Sequence, residues 1–241
     1  MKALILAAGR GKRLEGDTED CNKCMLRFHG KHLIEYSLEA ASLTDVDEII
    51  TVVGYRAEDI VNTFGISYKN KRIRYVIQQE QKGLVHAIET AASALDGHGF
   101  ILFLADEIFL RPNPQKLVEI FEKENLFCVC GVTRVDDKTE IKKTYAVIYD
   151  EHDNRIYRLI EKPRNPMNNL MGTGNCVFKN EILKYIPVTP INQVRNEKEL
   201  PDLIQAAIDD GLIVKLVHVE GKYVNINTPE DIKLAEDLIA E

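Results

Sequence analysis

Over its first half the chain alternates short, continuously apolar runs with amphipathic stretches. Ala3–Ala7 (ALILA), Glu48–Val53 (EIITVV), Ile73–Gln78 (IRYVIQ), Phe100–Leu104 (FILFL) and Leu126–Val132 (LFCVCGV) have the length and β-branched or aromatic content of strands. Between them, Lys31–Leu43, Ala57–Phe64, Leu84–Leu95 and Gln115–Lys123 read as helices. Strands that are apolar at nearly every position are covered on both faces, and strands separated by helices pair in parallel. Right-handed crossovers then build a Rossmann-like, doubly wound α/β sheet, mixed but mostly parallel.

The rhythm changes near residue 133. Thr144–Tyr149, Ile156–Ile160 and Thr173–Phe178 read as strands with little helix between them, which predicts a β-rich antiparallel extension. A helix over Lys198–Asp209 and a strand over Leu212–Val219 return to the first pattern. Thr228-Pro229-Glu230-Asp231 is a helix start, with Thr at the N-cap, Pro at the first helical position and acids in the first turn. That closing helix runs to about Ala240. No repeat or linker divides the sequence, so 1–241 is expected to form one domain with halves 1–132 and 133–241.

Composition narrows the classes. With 45% apolar and 29% charged residues, a chain of 241 residues buries a core without covalent staples. It has no run of eighteen apolar residues, which argues against a membrane span, and its N-terminal apolar run is too short for a secretory signal. A cytoplasmic location is therefore expected. Thirty-eight acids against 31 bases give a net charge of -7, so neither a nucleic acid nor a membrane is an expected partner. Phosphate groups would have to be met by a few placed cations. The five cysteines include Cys21-x-x-Cys24, but no second pair of matching spacing completes a zinc ribbon. Reduced structural thiols are the expectation.

In doubly wound sheets ligands lie beyond the C-terminal strand ends. The first such position is Leu6-Ala7-Ala8-Gly9-Arg10-Gly11-Lys12-Arg13-Leu14, where glycines allow close backbone approach to phosphates and Lys12 and Arg13 add charge. No Gly-Lys-Ser/Thr closes a P-loop here. The third glycine and the second-strand acid of a dinucleotide fingerprint are also missing.

Further positions make a resemblance specific. Ala7-Ala8-Gly9-x-Gly11-x-Arg13-Leu14, with Lys23 before a short strand, resembles the sugar-1-phosphate nucleotidyltransferases, the glucose-1-phosphate thymidylyltransferases and uridylyltransferases among them. Gln78 and Gly83-Leu84-x-x-Ala87 are similar to the base-binding element of that family. Leu104-Ala105-Asp106 resembles its metal motif, Glu161-Lys162-Pro163 its E-K-P, and Thr173-Gly174 its acceptor-pocket strand. Val224-Asn225-x-Asn227-Thr228-Pro229-Glu230-Asp231 is similar to its closing metal element.

The resemblance implies that 1–132 binds a nucleoside triphosphate and that 133–241 binds a phosphorylated small-molecule acceptor and supplies the closing metal element. The implied reaction moves a nucleoside monophosphate from UTP or dTTP to a sugar 1-phosphate with release of pyrophosphate. It implies roles for Arg13 at the β- and γ-phosphates, Lys23 at the α-phosphate and Lys162 at the acceptor's phosphate. Leu6, Ala7, Ala8, Gly9, Gly11, Lys12, Gln78 and Gly83 would hold the nucleotide. Ala146, Glu161, Thr173 and Gly174 would line the acceptor pocket, and Asp106 with Asn225 would bind Mg²⁺. The residue types suit this chemistry, since phosphoryl-type transfer relies on positioning and charge neutralisation more than on a general base. Gln78 offers an amide donor and acceptor for the imide edge of uracil or thymine. His86, in the helix after Gly83, reads as a packing residue.

Several positions depart from the pattern. Asn225 stands where the thymidylyltransferase branch has Asp, Glu107 where an Asn is usual, and Ala146 where a glycine lines the sugar pocket. These leave room for a cytidylyltransferase acting on a phosphorylated alcohol or phosphonate, or for a non-catalytic nucleotide-binding regulatory module. A homo-oligomer is compatible with the sequence.

Overall fold

The computed structural model describes residues 1–11 and 22–240. Lys12, Arg13 and Leu14 of the glycine-rich segment lie outside the described residues, as do Glu15, Asp17, Glu19, Asp20 and Cys21. β1 (Lys2–Ala7), β2 (Glu48–Val53), β3 (Lys71–Ile77) and β4 (Phe100–Leu104) form a parallel core in the order β3-β2-β1-β4. The remaining longer strands are β5 (Glu107–Leu110), β6 (Cys128–Arg134), β7 (Tyr145–Tyr149), β8 (Ile156–Glu161), β9 (Leu170–Phe178), β10 (Val214–His218) and β11 (Lys222–Asn225).

β9 joins the two parts of the sheet. It runs antiparallel to β4 through Cys176–Phe178 and antiparallel to β7 through Met171 and Gly172. Along its other edge it pairs with β6, with a break in register between Gly172 and Cys176. β8 continues beyond β7, and β10 lies parallel on β6. The expected mixed, mostly parallel sheet with a β-rich extension is therefore present.

Helices cover both faces. They are α1 (Leu33–Ser42), α2 (Ala57–Phe64), α3 (Leu84–Thr90), α4 (Ala92–Leu95), α5 (Gln115–Lys123), α6 (Leu200–Asp209) and α7 (Pro229–Ala240). Along β1, Ala3, Ile5 and Ala7 join Ile34, Leu38, Ile60, Leu117 and Phe121 of α1, α2 and α5. Leu4 and Ala8 join the opposite cluster, with Val85 and Ile88 of α3 and Leu203 and Ile204 of α6. Two-faced burial is why these strands read as unbroken apolar runs.

The structure departs from the sequence expectation in several places. The helix expected over Leu84–Leu95 is interrupted at Ala91. The strand expected from Thr173 already begins at Leu170. β5 and β11 leave the main sheet and pair antiparallel with each other, with Asn225 opposite Glu107. α7, Phe28 and Leu33 pack on that ladder as a separate small core.

Candidate active site at the switch point of the sheet

From β1 the chain crosses to β2 on one side, and after β3 it returns to β4 on the other. The C-terminal ends of β1 and β4 therefore face a crevice left open where the crossovers diverge. A cavity of about 600 Å³ lies there, lined by Leu6–Gly11 at the end of β1 and by Lys23, Gln78, Gly83, Asp106 and Asn227. A second cavity of about 230 Å³ adjoins it and shares Leu84, Leu104, Glu197 and Asn227. Glu161, Lys162, Thr173, Gly174 and Asn225 line this smaller one.

The glycine-rich turn is built by close approach. Gly11 has φ +67, and a Cβ there would come 2.7 Å from Lys23 Cβ. Lys23 begins a short helical turn, Lys23–Met25, which Asn22 caps by accepting the Cys24 N–H at 2.9 Å. Asn22 Nδ2 also donates to the Tyr55 carbonyl at 2.6 Å, tying this turn to the loop after β2. Lys23 is thereby held with its side chain buried and its ammonium 2.9 Å from Asp106 Oδ2.

Asp106 sits at the corner where β4 ends and β5 turns away. Its carbonyl accepts the Ile226 N–H at 2.9 Å, and β5–β11 pairing carries Asn225 and Asn227 to the same corner from far along the chain. Lys23 Nζ donates to Asn227 Oδ1 at 3.4 Å, and Asn227 Nδ2 to Asn225 Oδ1 at 2.8 Å. The chain Asp106–Lys23–Asn227–Asn225 runs along the seam between the two cavities. One carboxylate and two amide oxygens are hard donors, a set suited to a divalent cation that keeps several waters. Among the described residues no cluster of three His, Cys, Asp or Glu side chains offers an alternative metal site.

The loop joining Asn225 to α7 is itself braced. Asp231 Oδ2 accepts the N–H groups of Asn227 and Thr228, each at 2.9 Å, while Thr228 Oγ1 accepts the Asp231 N–H at 3.4 Å. This reciprocal capping box makes Thr228 the N-cap, as expected, and Asp231 also pairs with Lys143 at 3.1 Å.

On the acceptor side Lys162 occupies a left-handed backbone position, φ +43, and its N–H donates to the Thr144 carbonyl at 2.7 Å. Its ammonium lies 3.7 Å from Glu161 Oε1, which also meets Arg195 at 3.4 Å. Burial, reinforced by Glu199, pushes the Glu161 carboxyl up to about 8 against the pull of Arg195. Glu107 is buried and accepts the Gly174 N–H and the Tyr223 O–H, each at 2.9 Å. Its carboxyl also rises to about 8, through burial first and the neighbouring Asp106 second.

One sequence expectation on this side differs from the structure. Ala146 does not line the acceptor cavity; its methyl packs with Val135, Ile141 and Met171 on the other side of β7. Strand alternation turns Tyr145 inward instead, with its hydroxyl donating to the Thr173 carbonyl at 3.0 Å. Thr173 lines the cavity as expected, with its hydroxyl donating to the Gly131 carbonyl at 3.0 Å. Gly174 is there because a Cβ would lie 2.3 Å from Leu104 Cγ.

Other residues of the site carry no signal in the sequence. Arg195, Glu197 and Glu199 enter from the turn before α6, and nothing in their local pattern marks them. His86 is not merely a packing residue, because Gln78 Nε2 lies 2.7 Å from its Nδ1. The described cysteines are free and buried, as expected for structural thiols, and burial pushes the Cys24 thiol up to about 12.

A crevice at the switch point, a glycine-rich turn, and a lysine and carboxylate poised between two cavities define a nucleotide-handling transferase site. The chain belongs to the nucleotidyl transferase family, whose model matches residues 2–226. It is 32% identical over 242 residues to the UTP–glucose-1-phosphate uridylyltransferase AglF of Haloferax volcanii, covering all of this chain and 97% of that one. It is 30% identical to the bifunctional protein GlmU of Methanococcus maripaludis over 98% of this chain, but spans only 54% of that relative. The fold is shared with a UDP-glucose pyrophosphorylase solved with UDP-glucose, at a TM-score of 0.88 and 22% identity over 99% and 98% of the two chains. A glucose-1-phosphate thymidylyltransferase structure from Bacillus anthracis matches with the same TM-score and identity, over 99% and 94%. No described helix is long and apolar enough to cross a membrane.

Proposed function

We propose that this protein transfers a nucleoside monophosphate from UTP or dTTP to a sugar 1-phosphate, with Mg²⁺ held at Asp106 and Asn225. The observation that carries the reading is the Asp106–Lys23–Asn227–Asn225 chain at the junction of a larger and a smaller cavity. The triphosphate would occupy the larger cavity, with its base at Gln78 and Gly83 and its phosphates over Leu6–Gly11. Arg13 and Lys12 are assigned to the β- and γ-phosphates on the resemblance. The acceptor would occupy the smaller cavity, its phosphate on Lys162 and its hydroxyls on Glu161.

A phosphomonoester has a second pKa near 6, so the acceptor's phosphate is already a dianionic nucleophile at about pH 7. Its oxygen attacks the α-phosphorus, a new P–O bond forms, and the bond to the bridging oxygen of pyrophosphate breaks. No general base is needed. Lys23, between the cavities, would neutralise charge on the α-phosphate as the two anions close, and the cation would supply further charge neutralisation.

The test is pyrophosphate release from a panel of triphosphates crossed with phosphorylated acceptors. UTP or dTTP with a hexose 1-phosphate is expected to give the highest rate. Asp106→Asn is expected to lower that rate by at least about a hundredfold with an unchanged circular dichroism spectrum. A clear preference for CTP, or turnover in Asp106→Asn near that of the wild type, would overturn the assignment it addresses.

A further inference from the structure

Gln78 directly follows β3 and is almost wholly enclosed, at 3% exposure, yet it lines the larger cavity. Its amide nitrogen has two neighbours, the Gly83 carbonyl at 3.4 Å and His86 Nδ1 at 2.7 Å. A carbonyl oxygen can only accept, so the Gly83 contact requires nitrogen, not oxygen, on that side of the carboxamide. His86 Nδ1 must then also accept, which places the ring proton of the neutral imidazole on Nε2. Both amide hydrogens are then committed to protein acceptors. Gln78 Oε1 takes no hydrogen bond among the described residues and is not one of the enclosed, unpartnered polar atoms. It is the atom left to meet a ligand.

We propose that His86 is a positioning residue that locks the Gln78 carboxamide with its oxygen toward the cavity and so selects a base with an N–H on its pairing edge. The inference rests on the nucleotide placement proposed above. Uracil and thymine present N3–H to that oxygen, whereas cytosine presents the N3 lone pair. Without His86 the amide retains only the long contact to Gly83, and either face can turn to the base. His86 is on the first turn of α3, where Gly83, at φ +92, brings the chain directly from the cavity wall into the helix. A Cβ at Gly83 would meet Glu197 Cβ at 2.9 Å, so the turn carrying this contact is itself confined.

The experiment compares His86→Leu, which removes the acceptor, with His86→Asn, whose Oδ1 can replace Nδ1. The readout is the ratio of kcat/KM for UTP to that for CTP, alongside calorimetric affinities for the same two nucleotides. His86→Leu is expected to lose about five- to tenfold of the UTP preference, the effect of one net hydrogen bond, while His86→Asn keeps the wild-type ratio within about twofold. An unchanged ratio in His86→Leu, or an equal loss for both nucleotides, overturns the proposal. Long-range ¹⁵N–¹H correlation of His86 in the wild-type protein at about pH 8 tests it without a variant. Protonated Nε2 with bare Nδ1 is expected, and a proton on Nδ1 refutes it. Absence of turnover with every acceptor would defeat the transferase reading alone, since the tautomer and the UTP-to-CTP affinity ratio still decide the role of His86.

Discussion

Glu161 is a largely buried carboxyl group at the edge of the acceptor cavity, with Arg195 and Lys162 for company. Burial and the nearby Glu199 outweigh Arg195 and raise its pKa from 4.5 to about 8. The folded state therefore binds the Glu161 proton more tightly than the unfolded chain does. This contribution to stability is complete below about pH 4.5 and is lost as the pH rises through about 8. Glu161→Gln keeps the shape and removes the titration. Urea denaturation at pH 5, 7 and 9 should show the variant gaining on the wild type as the pH rises, by on the order of a few kcal/mol across the range. Parallel stability curves for the two proteins would show that the carboxyl titrates as it would in water.

Among elements, the β5–β11 ladder and the start of α7 do most to place the site. Neither strand belongs to the main sheet, and their pairing alone brings Asn225 opposite Glu107. The capping box then fixes how the chain leaves β11, because Asp231 accepts two N–H groups of the loop that carries Asn227. Asp231→Ala orphans both donors and releases Lys143, an exposed partner that adds little on its own. A stability loss of about 1–2 kcal/mol is expected in chemical denaturation, together with a higher KM for the triphosphate as Asn227 loosens from Lys23. A stability loss with unchanged kinetics would confine Asp231 to a structural role.

On the scale of the whole molecule, a cation would have to be shared by Asp106 from the first half of the chain and Asn225 from the last strand. Asn225→Ala removes one oxygen from that set, and added water can partly replace it. The expected result is weakened catalysis with a raised Mg²⁺ concentration for half-maximal rate. Asn225→Asp keeps the oxygen, adds a charge and should remain active. Titrating Mg²⁺ against rate for both variants decides the matter. If Asn225→Ala has the metal dependence of the wild type, Asn225 serves the loop through its bond to Asn227 and not the metal.

The sequence by itself determined the parallel core. Glu48–Val53, Phe100–Leu104, Ala57–Phe64 and Gln115–Lys123 begin and end where their hydrophobic patterns say, because burial on one face or two leaves a local signature. It also marked the residues at the strand ends, Gly9, Gly11, Lys23, Gln78, Gly83, Asp106 and Lys162, which the fold gathers along two adjoining cavities. Tertiary structure decided what depends on partners distant in the chain. β5 and β11 are four residues each, too short to carry a period, and exist as strands only because each completes the other's hydrogen bonds. Which residues of β7 face the acceptor depends on what covers each side of the sheet, so Tyr145 and not Ala146 turns inward. Arg195, Glu197, Glu199 and the bond from Gln78 to His86 arise from packing across elements, where spacing along the chain records nothing.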